Sequence, residues 1–176
     1  MLSVKVETTR LELQAPYHPA LPLRARAIGG RWMGAGIGWT FPLSAEAALR
    51  ALCEDIWAVD GSPEASAATV DLQIAVDERA PVRRVFLAYE GPIYLVGREI
   101  AASLINRKAA RPGRGIRFLE GKPRCVETPS KWSTVIPNGS VFLVRDVPTM
   151  AIARFRHALA GAGELDVRAT KRPEEN

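Results

Sequence analysis

Nine basic residues, Arg98, Arg107, Lys108, Arg111, Arg114, Arg117, Lys122, Arg124 and Lys131, lie in one stretch of the chain with only Glu99, Glu120 and Glu127 among them. From Arg107 to Arg117 there is no acidic residue at all. Cations at this density attract polyanions, because each phosphate they neutralise releases condensed counterions into solution. Pro112 and the neighbouring glycines prevent an ordinary salt-bridged helix, so residues 107–114 are expected to form a loop that can follow a phosphate backbone. Lys122, Arg124 and Lys131, with Trp132, extend the same candidate face. The competing reading is a solvated charge run that serves only solubility.

A second constellation lies near the N-terminus, where Tyr17, Arg31, Trp32, Trp39 and Phe41 combine aromatic rings with a guanidinium. Indole faces can stack on bases while arginine holds phosphate. In a module of about 60 residues, two tryptophans on neighbouring strands are more often the core itself.

Groups for catalysis are sparse. His18 and His157 are the only histidines and are far apart, and Cys53 and Cys125 have no local His or Cys partner. A metal site, a disulfide framework and a nucleophile–base pair are therefore not expected. The acidic pairs Asp77–Glu78 and Glu54–Asp55 could in principle hold magnesium for phosphodiester cleavage, but adjacent carboxylates usually face solvent. The glycines Gly29, Gly30, Gly34, Gly36 and Gly38 lack the Gly-Lys-Ser/Thr ending and the βαβ setting of a phosphate loop and read as turns. No cofactor is expected.

The elements that must position these groups follow from periodicity. Of 176 residues, 47% are hydrophobic and 24% charged, as in an ordinary globular protein, and the net charge is +5. Residues 1–60 carry six basic and six acidic groups, so the excess belongs to the rest. With no apolar run near the ~20 residues that cross a membrane and no secretory signal visible, a cytoplasmic protein without a membrane partner is expected. Residues 2–15 alternate as strand or hairpin, Pro19 opens a short helix ending at Gly29–Gly30, a hairpin carries Trp32 and Trp39, and Ser44 caps a helix over Ala45 to Ile56. The Ser/Ala/Pro-rich stretch 62–68 reads as a linker. Beyond it, strands are expected near 70–76, 85–89, 92–96, 115–119 and 140–145, a helical turn or two at 100–106, and a final helix capped by Thr149. The fold class is thus α+β in two small modules. Residues 1–61 form a ββαββα-like unit, residues 69–170 form an antiparallel sheet with a terminal helix, and residues 171–176 form a frayed tail.

The Pro16-Tyr17-His18-Pro19 turn, the Gly29-Gly30-Arg31-Trp32 step, the Trp39-Thr40-Phe41 strand and the helix after Ser44 together resemble the HARP-type domain. That domain is an accessory module of annealing helicases, with similar stretches in proteins of bacterial plasmids and other mobile elements. The resemblance covers about the first 60 residues and no helicase motor accompanies it. It implies binding of structured or single-stranded nucleic acid through Tyr17, Arg31, Trp32, Trp39 and Phe41, with no activity of its own.

Charge placement and resemblance converge on a non-enzymatic nucleic-acid-binding accessory protein, with DNA or RNA as partner. A protein-binding inhibitor or assembly subunit of a larger nucleic-acid-handling complex is the alternative, since the same cations can occupy an acidic surface. A metal-dependent nuclease ranks third.

Overall fold

The computed structural model describes residues 2–79, 85–104, 108–127 and 131–169. The chain divides into two compact units, Met1–Ala68 and Thr69–Asn176.

The first unit runs β1 (Ser3–Val6), β2 (Leu11–Gln14), α1 (Leu21–Ala27), β3 (Arg31–Trp32), β4 (Trp39–Phe41) and α2 (Glu46–Trp57). This is the ββαββα order expected from the sequence. Its antiparallel sheet has the order β1-β2-β4-β3. Alternation places Val4, Leu11, Leu13, Trp39 and Phe41 on one buried face, where the α2 residues Leu49, Leu52, Cys53 and Ile56 complete the core. The β3–β4 hairpin needs glycine at Gly38. Its φ is +86°, and a Cβ there would lie 2.3 Å from the Leu13 carbonyl oxygen.

Three local expectations change. Helix α1 starts at Leu21, with Pro22 rather than Pro19 in its first turn. Ser44 does not cap α2, because the chain leaves Pro42 through a 3-10 turn, Leu43–Ala45, that places the serine inside the turn. The stretch 62–68 is itself folded. Ser62 donates to the Asp60 carboxylate through N–H (2.8 Å) and hydroxyl (2.7 Å), its Oγ accepts the Ala65 N–H, and a 3-10 turn spans Glu64–Ser66.

The second unit is mostly strand: β5 (Thr69–Val76), β6 (Leu87–Tyr89), β7 (Ile93–Leu95), β8 (Arg98–Ser103), β9 (Ala110–Pro112), β10 (Ile116–Glu120), β11 (Arg124–Glu127), β12 (Trp132–Val135), β13 (Val141–Pro148), α3 (Ile152–Ala158) and β14 (Gly163–Arg168). Rather than one sheet, the described residues form three antiparallel ones, ordered β10-β13-β5-β14, β11-β12-β6 and β7-β8-β9. The first sheet supplies Leu72, Ile74, Phe142, Val144 and Ile116 to the core, and Phe142 packs between Phe86 (6.1 Å) and Phe118 (5.2 Å).

Here the corrections are larger. The helical turn expected at 100–106 is strand β8 as far as Ser103. Ile100, Ala101 and Ala102 are all buried, and a strand covered on both faces has no period-2 signature. Residues 105–107 lie outside the described residues. The expected loop at 107–114 contains strand β9, which pairs with β8 through Ala101–Pro112 and Ala102–Arg111. Thr149, like Ser44, sits inside a 3-10 turn after a proline and caps nothing. Helix α3 is not terminal, since β14 follows it and pairs with β5 along the sheet edge.

Strand β13 carries an irregularity between Val144 and Val147, with Asp146 at φ +53°. Arg98 holds it in place. Its Nη1 donates to the Arg145 carbonyl (2.6 Å) and its Nη2 to the Asp146 carbonyl (2.5 Å), while the Asp71 carboxylate accepts the Asp146 N–H (3.1 Å). Burial lowers the pKa of this guanidinium, partly offset by the charge of Asp146. Charge-assisted bonds of this kind contribute about 1.5–3 kcal/mol each, so Arg98 is a structural clamp rather than part of an open cationic surface.

Candidate nucleic-acid interface

The aromatic constellation of the first unit separates into core and surface. Trp39 and Phe41, at 5% and 2% exposure, are core residues, which removes both from any stacking surface. Tyr17 (71%) and Trp32 (55%) are exposed. Arg31 and Trp32 are consecutive on β3, so their side chains project to opposite faces of the sheet. Trp32 lies on the Trp39 side, its ring 5.7 Å away and tilted by 60°. Arg31 lies on the other side, in a cross-strand row with Thr40, Glu12 and Lys5. The pairing of Arg31 with Trp32 as one platform is thereby corrected.

The guanidinium that does meet an indole is Arg26, with Cζ 5.8 Å from the ring centroid of the core residue Trp39. The sequence reading missed it. The available signal was α1 itself, whose exposed Leu23 and Arg26 are three residues apart and share a helical face.

In the second unit the cations collect on three neighbouring strands. β9 touches both β10 and β11. Arg114 occupies the β9–β10 turn, Arg117 lies on β10, Lys122 follows it and Arg124 opens β11. All four are exposed, and among the described residues their side chains make no hydrogen bond or ion pair. Arg117 points outward because its neighbours Ile116 and Phe118 point into the core.

The turn that carries Arg114 is tightly held. The Gly113 N–H donates to the Ile100 carbonyl (2.9 Å), the Gly113 carbonyl accepts from Ile116 (3.2 Å), and the Gly115 carbonyl accepts from Arg145 (2.9 Å). A Cβ on Gly113 would lie 1.7 Å from the Glu99 carbonyl oxygen, so only glycine allows β9 to approach β8 this closely.

The remaining cationic candidates differ. Arg111 is ion-paired to Glu99 at 3.0 Å and also donates to the Pro112 carbonyl, so the acidic partner absent from its own segment comes from the facing strand. Exposed pairs of this kind are worth about 0–1 kcal/mol and are easily exchanged. Lys108 and Lys131 are exposed, Trp132 is half-buried on β12, and all three already have intramolecular contacts. Arg107 lies outside the described residues.

The groups considered for catalysis are placed as follows. Burial, with Asp60 adding to it, pushes the Cys53 thiol up to about 12, and Cys125 is half-buried on β11. Burial and the nearby Arg24 lower the pKa of His18, whose Nδ1 accepts the Ala20 N–H (3.3 Å) and whose ring meets Trp57 edge-on. That geometry holds the turn into α1. Asp77 binds the Arg79 N–H and Asp55 pairs with Arg24. Among the described residues no cluster of three or more His, Cys, Asp or Glu is placed to hold a metal ion, and no helix is long and apolar enough to cross a membrane. No protein-family model, curated protein or solved structure matches the chain.

Proposed function

We propose that the chain is a cytoplasmic nucleic-acid-binding accessory protein whose affinity comes mainly from phosphate contacts made by the second unit. The observation that carries this reading is the set of Arg114, Arg117, Lys122 and Arg124, exposed on β10, β11 and the turns that precede them and, among the described residues, unpartnered. Exposed like charges that are not ion-paired give a positive surface, and a polyanion bound there releases its own counterions. The HARP-like resemblance of the first 60 residues points to the same ligand class. Its exposed aromatic contributions are Tyr17 and the edge indole of Trp32, which leans on Trp39.

The test is the affinity of the full chain for a labelled 20-nucleotide strand and its duplex, read by fluorescence anisotropy at 50 and 200 mM salt. Four neutralised phosphates give log–log slopes near −2.8 for the single strand and −3.6 for the duplex. Affinity is then expected to fall about 50-fold and about 150-fold. No binding at 50 mM, or binding indifferent to salt, would overturn the proposal.

A further inference from the structure

Strands β11, β12 and β6 form a small sheet whose two faces differ sharply. The register sets Val126 opposite Ser133 and Ser133 opposite Tyr89, and in the next row Arg124 opposite Val135 and Val135 opposite Leu87. Directly opposed residues share a face, so all six project the same way. The other face carries Thr134, which is fully buried and bonded to the Gly91 carbonyl (2.7 Å) and the Ser103 hydroxyl (2.9 Å). That face is the inner one, and the Tyr89 face is the outer one.

On the outer face Tyr89 is 65% exposed and Val126 46% exposed, on either side of buried Ser133 and above half-buried Leu87 and Val135. The Tyr89 ring has no aromatic neighbour and its hydroxyl no hydrogen bond among the described residues. Arg124 stands on the same face, at the start of β11, with Lys122 in the turn before it and Arg117 on the preceding strand β10. Glu127 is sent by alternation to the opposite side, level with Trp132. The exposed aromatic therefore lies about 10 Å across the sheet from the edge strand that bears the cation.

Resting on the phosphate-binding reading above, we infer that this face is a base-stacking site for single-stranded nucleic acid, with Tyr89 as the platform and Arg124 as a phosphate anchor on the same face. An aromatic ring on an open sheet face offers a π surface to any base, but only a base with its own face free can use it. In a duplex those faces are occupied by neighbouring base pairs. The site therefore selects single strands over duplex, whereas the cations alone bind both.

The experiment compares wild type, Tyr89→Ala and Tyr89→Phe for binding to a 12-nucleotide oligo-dT strand and to a duplex of equal length. Tyr89→Ala is expected to weaken single-strand binding roughly 5- to 150-fold with an unchanged salt slope, while duplex affinity stays at the wild-type level. Tyr89→Phe keeps the ring and is expected to match wild type. Photocrosslinking wild type to a 5-iodouracil-substituted strand is expected to label the peptide containing Tyr89. Single-strand affinity unaffected by Tyr89→Ala overturns the inference, and a face that docks a protein segment would give that result. Equal loss on strand and duplex, or crosslinks confined to other peptides, also overturns it. Wild type that binds neither ligand removes the parent reading instead, so the two failures are distinguishable.

Discussion

Alanine at Arg114, Arg117, Lys122 and Arg124 together is expected to lower single-strand affinity at 0.1 M salt by between two and three orders of magnitude. The same variant is expected to flatten the log–log salt dependence by about 2.8. Each phosphate contact on a single strand contributes about 0.7 log units per decade of salt, and four are removed. The fold is expected to survive, because exposed side chains without partners cost within about 0.5 kcal/mol each when truncated. Anisotropy titrations, with circular dichroism to confirm folding, measure both effects. A folded variant with wild-type affinity and slope would mean that these cations are a solubility device.

The second large effect separates the two indoles of the first unit. Trp39→Ala removes a side chain at 5% exposure, against which Arg26 and Trp32 both pack, and is expected to cost about 3–5 kcal/mol. In a unit of this size each kcal/mol moves the thermal midpoint by about 4–8 °C, so this variant approaches outright unfolding of the unit. Trp32→Ala, at a sheet edge and more than half exposed, forfeits little beyond its contact with Trp39, about 1 kcal/mol. Denaturant unfolding followed by near-ultraviolet circular dichroism gives both values. Equal costs would contradict the assignment of one indole to the core and the other to the surface.

How far the sequence could anticipate this follows from where its signals were local. Val4, Leu11 and Leu13 alternate and Leu49, Leu52 and Ile56 recur at helical spacing, so the first unit was legible down to its ββαββα order. Ser44 and Thr149 misled because both follow a proline that diverts the chain into a 3-10 turn, a choice made by backbone geometry and not by the hydroxyl. Strand β8 was hidden because Ile100, Ala101 and Ala102 are buried without alternation. Strand β12 was hidden because its most buried members are polar: Thr134 is satisfied by hydrogen bonds to Gly91 and Ser103, groups distant in sequence.

The site was legible in charge but not in arrangement. The cationic run was visible, yet nothing local distinguished Arg98, which clamps two carbonyls, or Arg111, which Glu99 neutralises, from the four cations left unpartnered. Likewise the adjacency of Arg31 and Trp32 in sequence suggested partnership, whereas strand alternation separates them and a helix brings Arg26 to Trp39 instead. Tyr89 attracted no notice because its importance depends on sharing a face with Arg124 through the intervening strand β12.

The central claim is a location: phosphate contacts on the β9–β10 turn, β10, the turn after it and the start of β11. Its most direct measurement is the titration of an unlabelled oligo-dT strand into isotope-labelled protein, with amide chemical shifts followed by NMR at low salt. Perturbations are expected to concentrate on Arg114 to Val126 and to fade as salt is raised. Perturbations that bypass this segment, whether on the first unit alone or on the β5 and β14 edge, would contradict the account.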